Sequence, residues 1–113
     1  MLRRAIAYTS LVLLLTAPVA ASGSRADARA QVEFGITAAM QNLWREAIFR
    51  WEKAVEIDPT YAAAFNNLAV AYEHEGMFEK ARKAYDKALE LDPTFQQPAE
   101  GLRRLKAGPA ASR

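Results

Sequence analysis

The one histidine of the sequence is the first place to look for chemistry. His74 stands between Glu73 and Glu75, and an imidazole beside carboxylates could act as a general base or bind a metal ion. Either role needs partners that converge on one point, whereas adjacent residues of a helix point in different directions. The sequence also has no cysteine for a metal site or a thiol nucleophile. We therefore predict no catalytic, cofactor-binding or metal-binding residues, and no enzyme.

Two tryptophans could support a second kind of chemistry. Trp44 and Trp51, if exposed, could stack on sugar rings or nucleobases. Their counterparts 34 residues later are Phe78 and Tyr85, so aromatic side chains return at matching positions. We predict that both tryptophans fill the core.

The elements that position these residues occur twice, 34 residues apart. When residues 28–61 are aligned with residues 62–95, nine pairs are identical and ten more are close in size and polarity. A repeat of this length indicates similar structural units that stack on one another. Such stacks commonly offer surfaces to other molecules and seldom carry out reactions.

Each copy has the pattern of two helices. In the second copy, one apolar series at helical spacing ends at Gly76, and another ends at Asp92-Pro93. Glycine accepts the left-handed conformation of a helix stop, and proline cannot continue a helix. Asn42 replaces Gly76 in the first copy and also tolerates that conformation. Thr94 is expected to cap the helix that follows.

These patterns resemble the tetratricopeptide repeat family, whose 34-residue unit reads W-x₂-L-G-x₂-Y, then A-x₃-F, then P. The second copy is similar at Phe65, Leu68, Ala69, Tyr72, Ala81, Tyr85 and Pro93. The resemblance implies an all-α fold: a short α-solenoid of antiparallel helix pairs with about five helices. The fifth would be a capping helix over residues 96–107, followed by a disordered tail over residues 108–113.

The resemblance also implies a concave groove, lined by the first helix of each unit, that binds a protein or peptide. We expect this groove on the side of each helix opposite a packing face, which Phe34 and Gly35 mark in the first copy. The expected peptide-binding residues are Arg29, Val32, Ile36 and Met40 of the first copy, and Asn66, Asn67 and Val70 of the second. The amides could bind a peptide backbone while the apolar residues hold its side chains.

Some members of the family clamp a C-terminal carboxylate with lysines and arginines beside an asparagine. Asn67 matches that asparagine, but Val32 and Ile36 occupy positions where the clamp would have polar residues. We therefore do not expect a carboxylate clamp. The same apolar face could instead join copies of the chain into a homo-oligomer.

The N-terminus differs in kind from the repeats. Arg3 and Arg4 precede an apolar segment over residues 5–17, and small residues follow it, an order typical of a secretory signal peptide. We place cleavage after Ala21, which makes residues 1–21 the signal and residues 22–27 a linker. The expected location is periplasmic or extracellular, with no membrane span after cleavage. The alternative is an uncleaved segment that tethers the protein to the inner membrane.

Charge and composition limit the classes of molecule that the protein is expected to bind. The sequence has 15 basic and 13 acidic residues, and Arg3 and Arg4 account for the excess. The mature domain therefore has no net charge to attract nucleic acid. We predict a non-catalytic interaction scaffold of the bacterial cell envelope. The alternatives are a self-associating structural subunit and an accessory to an enzyme that acts on wall polymers.

Overall fold

Five α-helices make up residues 23–108, the part of the chain that the computed structural model describes. They are α1 (Arg25–Met40), α2 (Trp44–Ile57), α3 (Ala62–His74), α4 (Phe78–Leu91) and α5 (Gln96–Ala107). α1 pairs with α2 and α3 with α4, α3 stacks on α2, and α5 packs on α4 and α3. The prediction of an all-α solenoid is confirmed. The expected signal peptide, and the expected tail beyond Gly108, lie outside the described residues.

Left-handed residues end the first helix of each pair, as predicted. Asn42 has a φ of 62° and Gly76 a φ of 74°. After Asn42 the chain turns back, and the N–H of Leu43 donates to the Ala38 carbonyl at 2.9 Å. The turn thus satisfies a carbonyl that the helix end would otherwise leave unpaired.

Aspartates organise the turns between successive pairs. Asp58 Oδ1 accepts from the N–H and the hydroxyl of Thr60 at 3.0 and 2.6 Å. Asp92 makes the same bonds with Thr94 at 3.1 and 2.7 Å. The prediction that Thr94 caps α5 is wrong, because Asp92 binds its hydroxyl and the N-cap residue, Phe95, makes no side-chain cap. Hydrogen bonds from Thr60 also lower the pKa of Asp58.

α1 begins inside the expected linker. Ser24 Oγ accepts from the N–H of Asp27 at 3.2 Å, and Asp27 Oδ2 accepts from the N–H of Ser24 at 2.8 Å. This reciprocal capping box starts the helix. Arg25 then reaches the turn between α2 and α3, where its Nε lies 2.5 Å from Asp58 Oδ2 and its Nη2 donates to Thr60 Oγ1 at 3.1 Å. The start of α1 is thereby fixed to the turn that follows α2.

Two aromatic side chains fill the core by lying against glycines. Trp51 is 3% exposed, packs on Gly35 of α1 and donates its Nε1–H to the Val32 carbonyl at 3.1 Å. Tyr85 is fully buried and packs on Gly101 of α5. A Cβ atom at either glycine would overlap the ring. The core-filling prediction for Trp51 is confirmed.

The packing face of α1 differs from the predicted one. Its buried residues are Ala28, Val32, Gly35 and Ala38. Phe34, expected on this face, is 57% exposed. Because Trp51 requires the closest approach at Gly35, the buried face centres on that glycine, and Phe34 turns outward.

The hydroxyls of two tyrosines find carboxylate partners. Tyr72 Oη donates to Glu52 Oε1 at 2.7 Å, and Tyr85 Oη donates to Glu73 Oε2 at 2.8 Å. Arg104 of α5 joins the second pair, with its Nε 3.2 Å from Glu73 Oε1. Burial first, and then the neighbouring carboxylates, raise the pKa of both tyrosines. Polar bonds therefore help to hold α5 against α3 and α4.

Gly35→Ala is expected to lower the free energy of unfolding by about 1–3 kcal/mol, because the added methyl group meets the Trp51 ring. This loss should appear although alanine is the better helix former by roughly 1 kcal/mol. Denaturant unfolding followed by circular dichroism measures it. In a Trp51→Leu background the same substitution should cost less, and an equal cost in both backgrounds would contradict the contact.

Tyr72 and Tyr85 are expected to stay protonated in the folded protein at pH values where the unfolded chain has ionised them. Because the folded state holds these protons more tightly, the stability they contribute is present below about pH 10 and is lost as the pH rises further. Alkaline titration by tyrosinate absorbance, with and without denaturant, checks this. The double variant Tyr72→Phe/Tyr85→Phe should remove the part of the absorbance change that the folded protein shows only at the highest pH. Identical curves for the folded and denatured protein would contradict the assignment.

Candidate functional site

An open cavity of about 340 Å³ lies between α1 and α3, above the aromatic side chains of α2. Its lining residues are Ile36, Ala39, Met40, Trp44, Trp51, Asn67 and Val70. Asn67 supplies an amide, and the other side chains are apolar or aromatic. A site of this composition suits an apolar side chain that arrives with a hydrogen-bonding group beside it. We call this cavity and its rim the groove.

Four of the predicted binding residues meet at the groove. Ile36 and Val70 are each 38% exposed and Met40 is 83% exposed, so a partner can reach them, and Asn67 lies beside them in the lining. Arg29 is also exposed, but it lies two helical turns before Ile36 and is not part of the lining.

The other two predicted residues do not face the groove. Val32 is 5% exposed and Asn66 is 7% exposed, so the expectation that they contact a partner is wrong. Val32 turns inward because the buried face of α1 centres on Gly35. Among the described residues, Asn66 Oδ1 has no hydrogen-bond partner, and a buried acceptor without a partner costs about 1–3 kcal/mol.

One end of the groove is a stack of two rings that sequence reasoning missed. The Trp44 and His74 centroids lie 4.1 Å apart with an angle of 20° between the planes. Trp44 Nε1 donates to Asn42 Oδ1 at 2.7 Å, so the left-handed turn holds the indole in place. Trp44 is only partly buried, and its core-filling prediction is correct only in part. The alignment of the two copies gave one indication of this stack, because the ring of His74 stands where Met40 stands in the first copy.

The described residues offer little for chemistry beyond binding. Within residues 23–108 no group of three or more histidine, aspartate or glutamate side chains is placed to hold a metal ion. His74 Nδ1 lies 3.7 Å from Glu75 Oε1, which is too far for a hydrogen bond. None of the helices in this range is both long and apolar enough to cross a membrane.

The stacked helix pairs define a class, the helical-repeat proteins, which commonly offer surfaces to other molecules. Family models place the chain more closely: a tetratricopeptide repeat model matches residues 62–95, and a TPR repeat model matches residues 41–76. Together with the five stacked helices, these matches show that the chain belongs to the tetratricopeptide repeat family. No curated protein matches the sequence significantly. Tetratricopeptide repeats serve protein–protein interaction and are generally non-catalytic.

Asn66→Leu is expected to raise the free energy of unfolding by roughly 1 kcal/mol or more, because it removes a buried acceptor that has no partner. Denaturant unfolding measures the change. Asn67→Leu is the matched control in the groove wall and should stay within about 0.5 kcal/mol of the parent. A clear loss of stability for Asn66→Leu would show that the amide is hydrogen-bonded after all.

Proposed function

We propose that this protein is an exported, non-catalytic scaffold of the bacterial cell envelope that binds a peptide segment of another protein in its groove. The observation that carries the proposal is the set of accessible apolar side chains, Ile36, Met40 and Val70, around a cavity of about 340 Å³. Contiguous exposed apolar surface in a soluble protein marks interaction sites.

The lining indicates the chemistry of the partner. An extended peptide could place one apolar side chain in the cavity while Asn67 hydrogen-bonds its backbone. Met40 can adapt to different side-chain shapes, because its thioether chain is flexible and polarizable. The lining contains no lysine or arginine, which favours an apolar anchor over a carboxylate clamp.

Other features favour a protein-binding scaffold over the alternative function, an accessory to an enzyme that acts on wall polymers. An aromatic platform for sugars needs an open ring face, but Trp51 is 3% exposed and His74 covers one face of Trp44. Within residues 23–108, no acid–base partner lies at hydrogen-bond distance from the stacked His74, since Glu75 Oε1 is 3.7 Å from its Nδ1. Export rests on the order of charged, apolar and small residues over residues 1–21.

A photocrosslinking side chain in place of Met40 tests the groove in living cells. It should capture a discrete protein, and Ile36→Asp or Val70→Asp should lower the yield about tenfold or more, since losing 1.4 kcal/mol of binding already weakens affinity tenfold. Phe78→Asp is the matched control, because Phe78 is also well exposed, at 57%, but lies outside the groove. Unchanged capture by the groove variants, with helicity intact, would remove the groove as the binding site.

A separate measurement tests export. After cell fractionation, the intact mass of the envelope form should correspond to cleavage after Ala21, with Ser22 as the first residue. A full-length chain that stays in the cytoplasm would remove the envelope location and leave the groove proposal standing. A full-length chain in the membrane fraction would instead support the tethered alternative.

A further inference from the structure

We propose that two copies of this chain associate through the N-terminal edge of the helix stack. The N-terminal edge is the surface formed by Phe34 of α1 and by Glu46, Phe49 and Arg50 of α2. It is distinct from the groove, so this proposal does not depend on the proposed function.

The residues of the N-terminal edge form one connected patch. The Arg50 guanidinium lies 5.4 Å from the centroid of the Phe34 ring and 5.6 Å from that of Phe49. Its Nε donates to Glu46 Oε1 at 2.8 Å. Both rings stay open, since Phe34 is 57% exposed and Phe49 is 49% exposed. The patch thus presents two exposed phenylalanine rings, and the Arg50 side chain that contacts both of them is paired with Glu46.

The repeat shows what kind of surface this is. The counterpart of Phe34 is Leu68, which is 4% exposed, and the counterpart of Arg50 is Ala84, which is 7% exposed. Leu68 reaches this burial with α3 packed on α2 of the unit before it, whereas Ala84 lies on α4, which packs on α3 and α5. Within residues 23–108 no helix pair precedes the first unit. Phe34 therefore lies on a stacking face that has no neighbour in the described part of the chain, while the counterparts of Glu46 and Phe49 are the exposed Lys80 and Lys83.

From Ala30 onward the outer side of α1 continues this face without charge. Ala30, Thr37 and Gln41 lie at helical spacing around Phe34, and all are exposed, whereas the charged Asp27 stands one turn before Ala30. Uncharged side chains can be covered without the large cost of burying an unpaired charge. The covered area could therefore extend over residues 30–41.

Closure favours contact between like edges over a head-to-tail stack. A head-to-tail contact could continue into an open filament. A two-fold contact between N-terminal edges closes after two copies.

The N-terminal edge is complementary to itself. Glu46 and Arg50 lie one turn apart on α2. If the α2 helices of two copies cross in antiparallel fashion near Phe49, Glu46 of each copy lies opposite Arg50 of the other. The Phe49 rings then meet close to the two-fold axis. A second copy therefore supplies the apolar partner that the edge lacks, and Glu46 and Arg50 can pair across the contact as they do within one copy.

The size of the patch predicts a weak dimer. A phenylalanine can bury roughly 150–250 Å², and about half of that is already covered here. Even with the α1 residues, the contact falls below the roughly 800 Å² per partner of a standard interface. We therefore expect a weak dimer, with a dissociation constant high enough for the monomer to be populated in dilute solution.

Sedimentation equilibrium tests the dimer, with protein expressed from the full chain and purified in the form the cell produces. The parent should pass from monomer to dimer as its concentration rises through the dissociation constant. Phe34→Asp and Phe49→Asp should each raise that constant at least tenfold. Phe78→Asp is the matched control, because Phe78 is also 57% exposed but lies on α4, and it should leave the constant unchanged.

Charge reversal separates the two-fold contact from other modes of association. Arg50→Glu should weaken the dimer, and adding Glu46→Arg should restore it, because the double variant rebuilds both cross-pairs with their signs exchanged. A monomer at all concentrations would overturn the proposal. So would a dimer insensitive to the Phe34 and Phe49 variants, a dimer lost in Ile36→Asp, or growth beyond two copies.

Discussion

The contact between an aromatic ring and a bare stretch of helix backbone sets the geometry of this molecule. Trp51 lies on Gly35 and Tyr85 lies on Gly101, so the second helix of each unit reaches a neighbouring helix through a ring that tolerates no Cβ atom. The first contact fixes the rotation of α1, and the second fixes α5 on the last complete unit. Interiors packed at this density respond to the addition of a single methyl group.

The rotation of α1 about its axis places three consecutive residues on three different surfaces of the helix. Phe34 faces the N-terminal edge, Gly35 faces the core, and Ile36 faces the groove. Successive residues of a helix are about 100° apart, so one helix can serve all three. A change in that rotation would disturb the core, the groove and the edge together. The two candidate binding surfaces therefore depend on the same ring-to-backbone contact.

The repeat made the architecture predictable, because its length and its helix stops at Asn42 and Gly76 are local properties of the chain. The orientation of α1 was not predictable in the same way. Phe34 aligns with Leu68, but a preceding unit packs over Leu68 and no described unit packs over Phe34, so equivalent positions have different environments at the end of an array. The ring stack at the groove was missed because it joins two helices at no fixed spacing.

The start of α1 has a consequence for the proposed cleavage of the signal peptide. Gly23 lies directly against Ile57, Ser24 and Asp27 close the capping box, and Arg25 binds Asp58. The proposed cleavage after Ala21 therefore falls almost next to folded structure. Proteolytic cleavage occurs most readily where the backbone is not tied down, and a docked α1 would hinder access to the cut. The proposed cleavage would then come before α1 docks on α2, so processing and folding would occur in a fixed order.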